Sequence, residues 1–260
     1  MSELCYWWAL VIGGIGVGIG LVGLALSIWF LRKNQEETSL VVGTVETVDL
    51  VRNGDMEQPY IQHDGTTIVA DHWMPFFSSH GSELTSQVCQ KPEFKPIPKT
   101  LADYRVVSGQ HSQCWFIRWK VMDGGVYQQV EVPVGAMLTF SAQVQTWCSQ
   151  SDSPLSDDGE FYFKLGIDRS GGINAYDPEV VWQEWVRGTK DFQRLEMQFV
   201  TIAPRITVFV RAANKWPMSH NDAYVDDVRL ELESGGSPAG EVTWAELANR
   251  YREFAELLES

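Results

Sequence analysis

The sequence is short of cations, cysteine and histidine, and each shortage removes a class of function. Lys and Arg number 20 against 34 Asp and Glu, a net charge of −14, so nucleic acid and anionic lipid meet repulsion rather than a binding surface. The four cysteines include no CxxC pair and the five histidines no HExxH pair, so neither a zinc nor a redox centre follows from them. Cys89, Cys114 and Cys148 allow one bridge, Cys89–Cys148 or Cys114–Cys148, or three buried thiols without a bridge. His63, His72, His80, His111 and His220 are scattered, and there is no GxSxG nucleophile elbow and no phosphate-binding glycine loop. Glycosidic cleavage needs two carboxylates at a set separation, and in so acidic a chain such pairs arise by chance. The chain is expected to be non-catalytic.

Charge is also missing from Ala9 to Leu31, a run long enough to cross bilayer hydrocarbon as a helix. Tyr6, Trp7, Trp8 and Trp29 stand at its ends with Arg32 and Lys33 behind, as side chains at a headgroup boundary do. A cleaved signal would want a basic start and a small-residue cleavage site, whereas Glu3 precedes this run and Trp29-Phe30-Leu31 ends it. Residues 1–33 are therefore expected to form one transmembrane α-helix that stays on the protein. Gly13, Gly16, Gly20 and Gly23 share one face of that helix, a strip that lets another membrane helix approach closely.

Residues 34–47 read as a connector, and beyond them the hydrophobic period changes to two. Trp115, Ile117, Trp119 and Val121 alternate with polar or exposed partners, as do Leu138 to Val144, Phe161 to Ile167, Leu195 to Phe199, Ile206 to Val210 and Val228 to Leu232. Asp123-Gly124-Gly125, Pro133-Val134-Gly135, Gly171-Gly172 and Ala203-Pro204 read as turns between them. With Leu40–Val51 and Tyr104–Val107 added, eight or nine strands follow one another without a helix. The expected class is all-β, an antiparallel sandwich, with long irregular pieces at Pro59–Asp103 and Ser170–Lys190. Residues 234–240 are a Gly/Ser/Pro linker. Residues 241–260 open on a capping box and carry Trp244, Leu247, Tyr251, Phe254 and Leu258 at helical spacing, a short amphipathic helix suited to docking on a partner or to folding back on the sandwich.

Leu50-Val51-Arg52-Asn53-Gly54-Asp55-Met56-Glu57 resembles the opening N-G-x-F-E motif of the jelly-roll carbohydrate-binding modules associated with xylanases and cellulases, within the galactose-binding-like superfamily. Asn221-Asp222-Ala223-Tyr224-Val225-Asp226-Asp227-Val228-Arg229-Leu230 resembles their closing strand. The resemblance implies a jelly roll over residues 48–233, with Met56 taking the usual Phe position. It also implies one structural Ca2+ between the first and last strands, with Glu57 and Asp226 as side-chain ligands, and a domain outside the cytoplasm. Arg32 and Lys33 argue weakly for the opposite side.

Sugar recognition uses aromatic faces with amides and carboxylates beside them. Trp73, Phe76, Phe77, Tyr176, Trp182, Trp185 and Trp216 lie outside the expected strand cores, and Trp182 with Trp185, and Trp216 with His220 and Asn221, are the stronger groups. Two functions compete. In the preferred one the chain is a single-pass accessory subunit of a membrane protein complex, with its jelly roll as a protein-interaction module. In the alternative it is a cell-surface carbohydrate-binding protein tethered by its helix. The first accounts for the glycine face, the domain and the terminal helix together.

Overall fold

The computed structural model describes residues 47–153 and 159–233. The predicted span with Gly13, Gly16, Gly20 and Gly23, and the terminal helix with Trp244, Leu247, Tyr251, Phe254 and Leu258, lie outside the described residues. Among the described residues no helix is long and apolar enough to cross a membrane.

Among the described residues fourteen strands make two sheets. One contains β1 (Thr47–Asp49), β2 (Tyr60–Asp64), β3 (Thr67–Ala70), β5 (Glu93–Pro98), β6 (His111–Ile117), β8 (Met137–Ser149), β12 (Gln193–Val200) and β14 (His220–Glu233). The other contains β4 (Met74–Phe77), β7 (Asp123–Glu131), β9 (Phe161–Asp168), β10 (Val181–Trp182), β11 (Val186–Arg187) and β13 (Arg205–Asn214). The eight-stranded sheet runs β12-β8-β14-β6-β5-β3-β2 with β1 on β14, and the six-stranded sheet runs β10-β9-β13-β7-β4 with β11 on β9. From β6 onward the chain passes back and forth between the sheets, the connection by which a jelly roll closes its core.

The pairing is antiparallel except where Thr67 of β3 meets Phe94 of β5 in parallel. Period-two alternation sets which side chains are covered. Leu138, Phe140, Ala142 and Val144 of β8 and Ala223, Val225, Val228 and Leu230 of β14 face Phe161, Phe163, Leu165 and Ile167 of β9 and Ile206, Val208 and Val210 of β13 in one core. Trp115 fills its centre, stacked on Phe94 at 6.2 Å and edge-on to Phe163 at 6.5 Å. Each such side chain contributes about 1.5–3 kcal/mol of apolar burial.

The two sequence motifs meet. Val228 donates its backbone N–H to Gly54, and a Cβ on Gly54 would lie 1.9 Å from the Val228 carbonyl, so only glycine fits there. Asn53 accepts from the Glu57 N–H and donates to the Glu57 and Asp71 carbonyls, which curls the loop and sends Met56 into the core at 0% exposure.

Four local expectations are corrected. Pro59–Asp103 is not irregular: it supplies β2 to β5, whose shortness and prolines (Pro75, Pro96, Pro98) hide the alternation. Tyr104–Val107 is no strand, because Asp103–Arg105 winds into a 3-10 turn. Trp119 turns out of the β6 pattern at φ 59° and is 61% exposed. Asp123-Gly124-Gly125 begins β7 instead of a turn, and its glycines admit backbone: a Cβ on Gly125 would lie 1.9 Å from the Val210 carbonyl. Of the cysteine alternatives the bridge-free one holds, since Cys89, Cys114 and Cys148 are buried thiols.

Candidate functional site

On the outer face of the six-stranded sheet, alternation along β9 and β13 turns Lys164 and Arg211 away from the core and places them opposite one another in register. Neither reaches bulk water; their side chains are 4% and 5% exposed. The face is roofed. Phe209, two residues before Arg211, is packed by Phe76, Tyr127 and Trp182, and Trp182 lies flat over Gly166, where a Cβ would come within 2.3 Å of its ring.

Three of the aromatic candidates converge on the two cations. The Arg211 guanidinium sits 4.9 Å from the Tyr176 ring, 5.3 Å from Trp182 and 5.2 Å from Trp185, and Lys164 Nζ sits 5.0 Å from Trp182 and 4.3 Å from Trp185. Asp123 at the start of β7 is fully buried and takes Arg211 in a bidentate pair, its Oδ1 accepting from Nε at 2.7 Å and its Oδ2 from the guanidinium Nη2. Tyr176 O–H donates to the Asp123 carbonyl at 3.1 Å.

The second acid comes from outside the sheet. Glu83, in the Ser82–Thr85 turn of the β4–β5 loop, accepts from Lys164 Nζ at 2.8 and 2.9 Å, from Arg211 Nη1 at 3.2 Å and from Trp185 Nε1 at 2.8 Å. Burial alone would raise the Glu83 carboxyl; the bonds from Lys164 and Trp185 and the charges of Lys164 and Arg211 bring it below the usual carboxylate range. Burial lowers the Lys164 ammonium despite its pairing. Chemically the mouth offers apolar ring faces and one carboxylate that is 55% exposed, behind which the two cations are closed off at 4% and 5% exposure.

The remaining candidates lie elsewhere. Trp73 is a core residue at 1% exposure whose Nε1 donates to the Asn53 carbonyl, so it is not a ligand platform. Asn221 is fully buried and donates to the Lys120 and Met218 carbonyls, and His220 is 3% exposed, stacked on Trp147 at 3.5 Å; neither side chain is open to a ligand. Trp216 is 49% exposed and separately tied, its Nε1 donating to Glu160 at 2.7 Å. A cleft of about 420 Å3 lined by Arg52, His72, Gln128 and Arg205 gathers none of the aromatic candidates.

Glu57 and Asp226 do not fit a calcium ion. The 107–111 loop runs past both, and each of the four carboxylate oxygens faces a donor. Glu57 Oε1 accepts from the His111 N–H at 2.9 Å and also from Gln110, while its Oε2 meets His111 Nδ1 at 3.0 Å. Asp226 Oδ2 accepts from Val107 and Ser108 N–H at 2.7 and 3.0 Å, and its Oδ1 from Ser108 Oγ at 3.2 Å and Asp227 N–H at 2.7 Å. Ca2+ needs six to eight bare oxygens, and N–H groups fill these positions instead. Burial pushes the Asp226 carboxyl up to about 6 against those donors.

Sequence reading found the rings and missed the charges. A Lys or Arg alternating with apolar residues in a strand signals an ordinary solvated face, and Asp123 beside two glycines signals a turn. The available clue was Phe209, an aromatic on the supposedly solvated side of β13.

No protein-family model matches the chain, and no curated protein matches it. Among solved structures it is similar to TmCBM61 in complex with β-1,4-galactotriose, with 11% identity over 70% of this chain and 97% of that one at a TM-score of 0.44. It is similar to the Stig cyclase Fisc from Fischerella sp. TAU, with 12% identity over 72% and 98% at 0.47, and to a structure described as CBM4, with 13% identity over 70% and 99% at 0.37. At these identities and scores the likenesses assign this chain neither a family nor a ligand.

Proposed function

We propose that this chain is a non-catalytic glycan-binding module held at a membrane surface by residues 1–33. The observation that carries the reading is the convergence of Tyr176, Trp182 and Trp185 with Lys164, Arg211 and Glu83 at one mouth on the outer sheet face. Tyr176 is 40% exposed and Trp185 half-buried, so both keep ring surface for the apolar face of a sugar, while the exposed Glu83 carboxylate stands within reach of its hydroxyls. The test is affinity measurement of the full chain, in mild detergent, against a panel of oligosaccharides. Trp185→Ala and Tyr176→Ala should each weaken retention about tenfold, a loss of the size expected for one aromatic contact. Retention unchanged in both variants, or none in the parent, removes this reading.

One observation favours the second reading, a protein-interaction module of a membrane complex. Val134, Met137, Val200 and Ile202 stand 62%, 51%, 42% and 66% exposed on two neighbouring turns, where Thr201 Oγ donates to the Pro133 carbonyl and Met137 pairs with Val200. Ile202→Ser, which leaves the charge unchanged, should then release the chain from its complex in native electrophoresis, whereas a glycan binder would migrate as before.

A further inference from the structure

We infer that the mouth formed by Lys164, Arg211 and Trp185 is a receptor for a sugar carboxylate, and that Glu83 occupies it as an internal surrogate for that ligand. The inference rests on the glycan reading of the site and names its ligand class as acidic sugars, the uronic acids among them.

Charge bookkeeping within the site points this way. Asp123 is fully buried and engages Arg211 on two sides, so it is a fixed counter-ion that belongs to the sheet. Lys164 bonds directly to an acid that is not fixed in this way: both of its contacts go to the oxygens of Glu83, while Asp123 acts on it only through charge. Glu83 is of a different kind from Asp123. It belongs to a turn, its side chain is 55% exposed, and its carboxylate collects four donor contacts from β9, β13 and Trp185.

Lys164, Arg211 and Asp123 together carry one positive charge, which a single monoanion neutralises. With Glu83 in place the Lys164 side chain is 4% exposed; departure of Glu83 uncovers an ammonium without a bonded acid, which a second carboxylate can pair. A planar carboxylate entering on the same line would accept from Lys164, Arg211 Nη1 and Trp185 Nε1 as Glu83 does. A carboxylate borne on a sugar ring would bring its apolar face to Trp185 and Tyr176, which a simple acid such as acetate lacks. Glu83 then acts as a competitor whose removal raises apparent affinity, because the open site is no longer populated only in part.

The experiment is calorimetric titration of the full chain in mild detergent with trigalacturonate, neutral galactotriose and acetate, for the parent, Glu83→Ala and Lys164→Met. The expected result is binding of trigalacturonate in preference to galactotriose, tightened about tenfold by Glu83→Ala and lost in Lys164→Met, with acetate weaker than trigalacturonate. Equal binding of the acidic and neutral trisaccharides, indifferent to Glu83, overturns the inference and leaves the glycan reading standing. Binding of neither saccharide overturns both. Should Glu83→Ala fail to fold, Glu83→Gln keeps the side-chain shape and the Trp185 bond while removing the charge. Trigalacturonate affinity equal to the parent's in that variant also overturns the inference.

Discussion

Asp123 and Arg211 show how one buried pair decides the character of a whole face. Arg211 is 4% exposed and carries a charge that water cannot reach, and Asp123, at 0%, sits where both its oxygens meet the guanidinium fork. Removing Asp123 leaves Arg211 charged and buried with only the Glu83 contact at 3.2 Å, a loss of about 3 kcal/mol, whereas removing both partners can cost little. Asp123→Asn is therefore expected to lower the urea midpoint of the full chain, followed by tryptophan fluorescence, by an amount equivalent to about 3 kcal/mol. Asp123→Leu with Arg211→Met should recover part of that loss. A single variant as stable as the parent would mean that Arg211 finds its counter-charge elsewhere. None of this was legible at Asp123 in the sequence, because Asp-Gly-Gly is what a turn looks like; the register that sets Gly125 against Arg211 and Gly124 against Ala212 is a long-range fact. Trp73 failed for the complementary reason. An aromatic outside a recognised strand reads as available, and the short β3–β4 connection that buries it carries no periodicity.

At the scale of elements, strands with a regular period of two were readable and those shaped by closure were not. β8, β9, β12, β13 and β14 each bury one face of alternating apolar residues, so composition and period sufficed. β4 finds its partner β7 some fifty residues on and, like β5, is broken by prolines, while β2 and β3 form a hairpin about Gly65 too short to show a period. The loop after β4 matters most, since its turn delivers Glu83 to the sheet. The Glu83 carboxyl lies below the usual carboxylate range in the folded chain, so the stabilisation from its pairing is present above its unfolded value and is lost as pH falls through the folded one. Glu83→Gln should accordingly melt below the parent at neutral pH. The gap between the two should close as the solution is acidified below about pH 4, where the parent also loses the charge. Thermal unfolding of both proteins along a pH series measures this, and a gap that stays constant would show that Glu83 contributes shape rather than charge.

For the molecule as a whole, the fold is closed where its two ends meet, and the chemistry of that closure separates this chain from what its motifs imply. Asn53-Gly54 and the β14 bulge near Asp226 come together as the resemblance to jelly-roll modules requires, because glycine admits the Val228 carbonyl and Met56 reaches the core. The 107–111 loop lies against Glu57 and Asp226 with its N–H groups and the His111 imidazole turned toward their oxygens, a clasp made wholly of the chain's own donors. The sequence carried the two acids but not the loop, which is separated from Glu57 by some fifty residues and from Asp226 by more than a hundred. Two consequences distinguish a clasp from a metal site. Adding EDTA or millimolar Ca2+ to the full chain should leave its melting temperature unmoved, since no ligand specific to the folded state is removed or supplied. Glu57→Ala should lower stability by about 1 kcal/mol with or without Ca2+, because it strands the part-buried His111 N–H and removes the bond to the exposed Gln110 N–H. A melting temperature that rises with Ca2+ in the parent and ceases to do so in Glu57→Ala would replace the clasp with an ion.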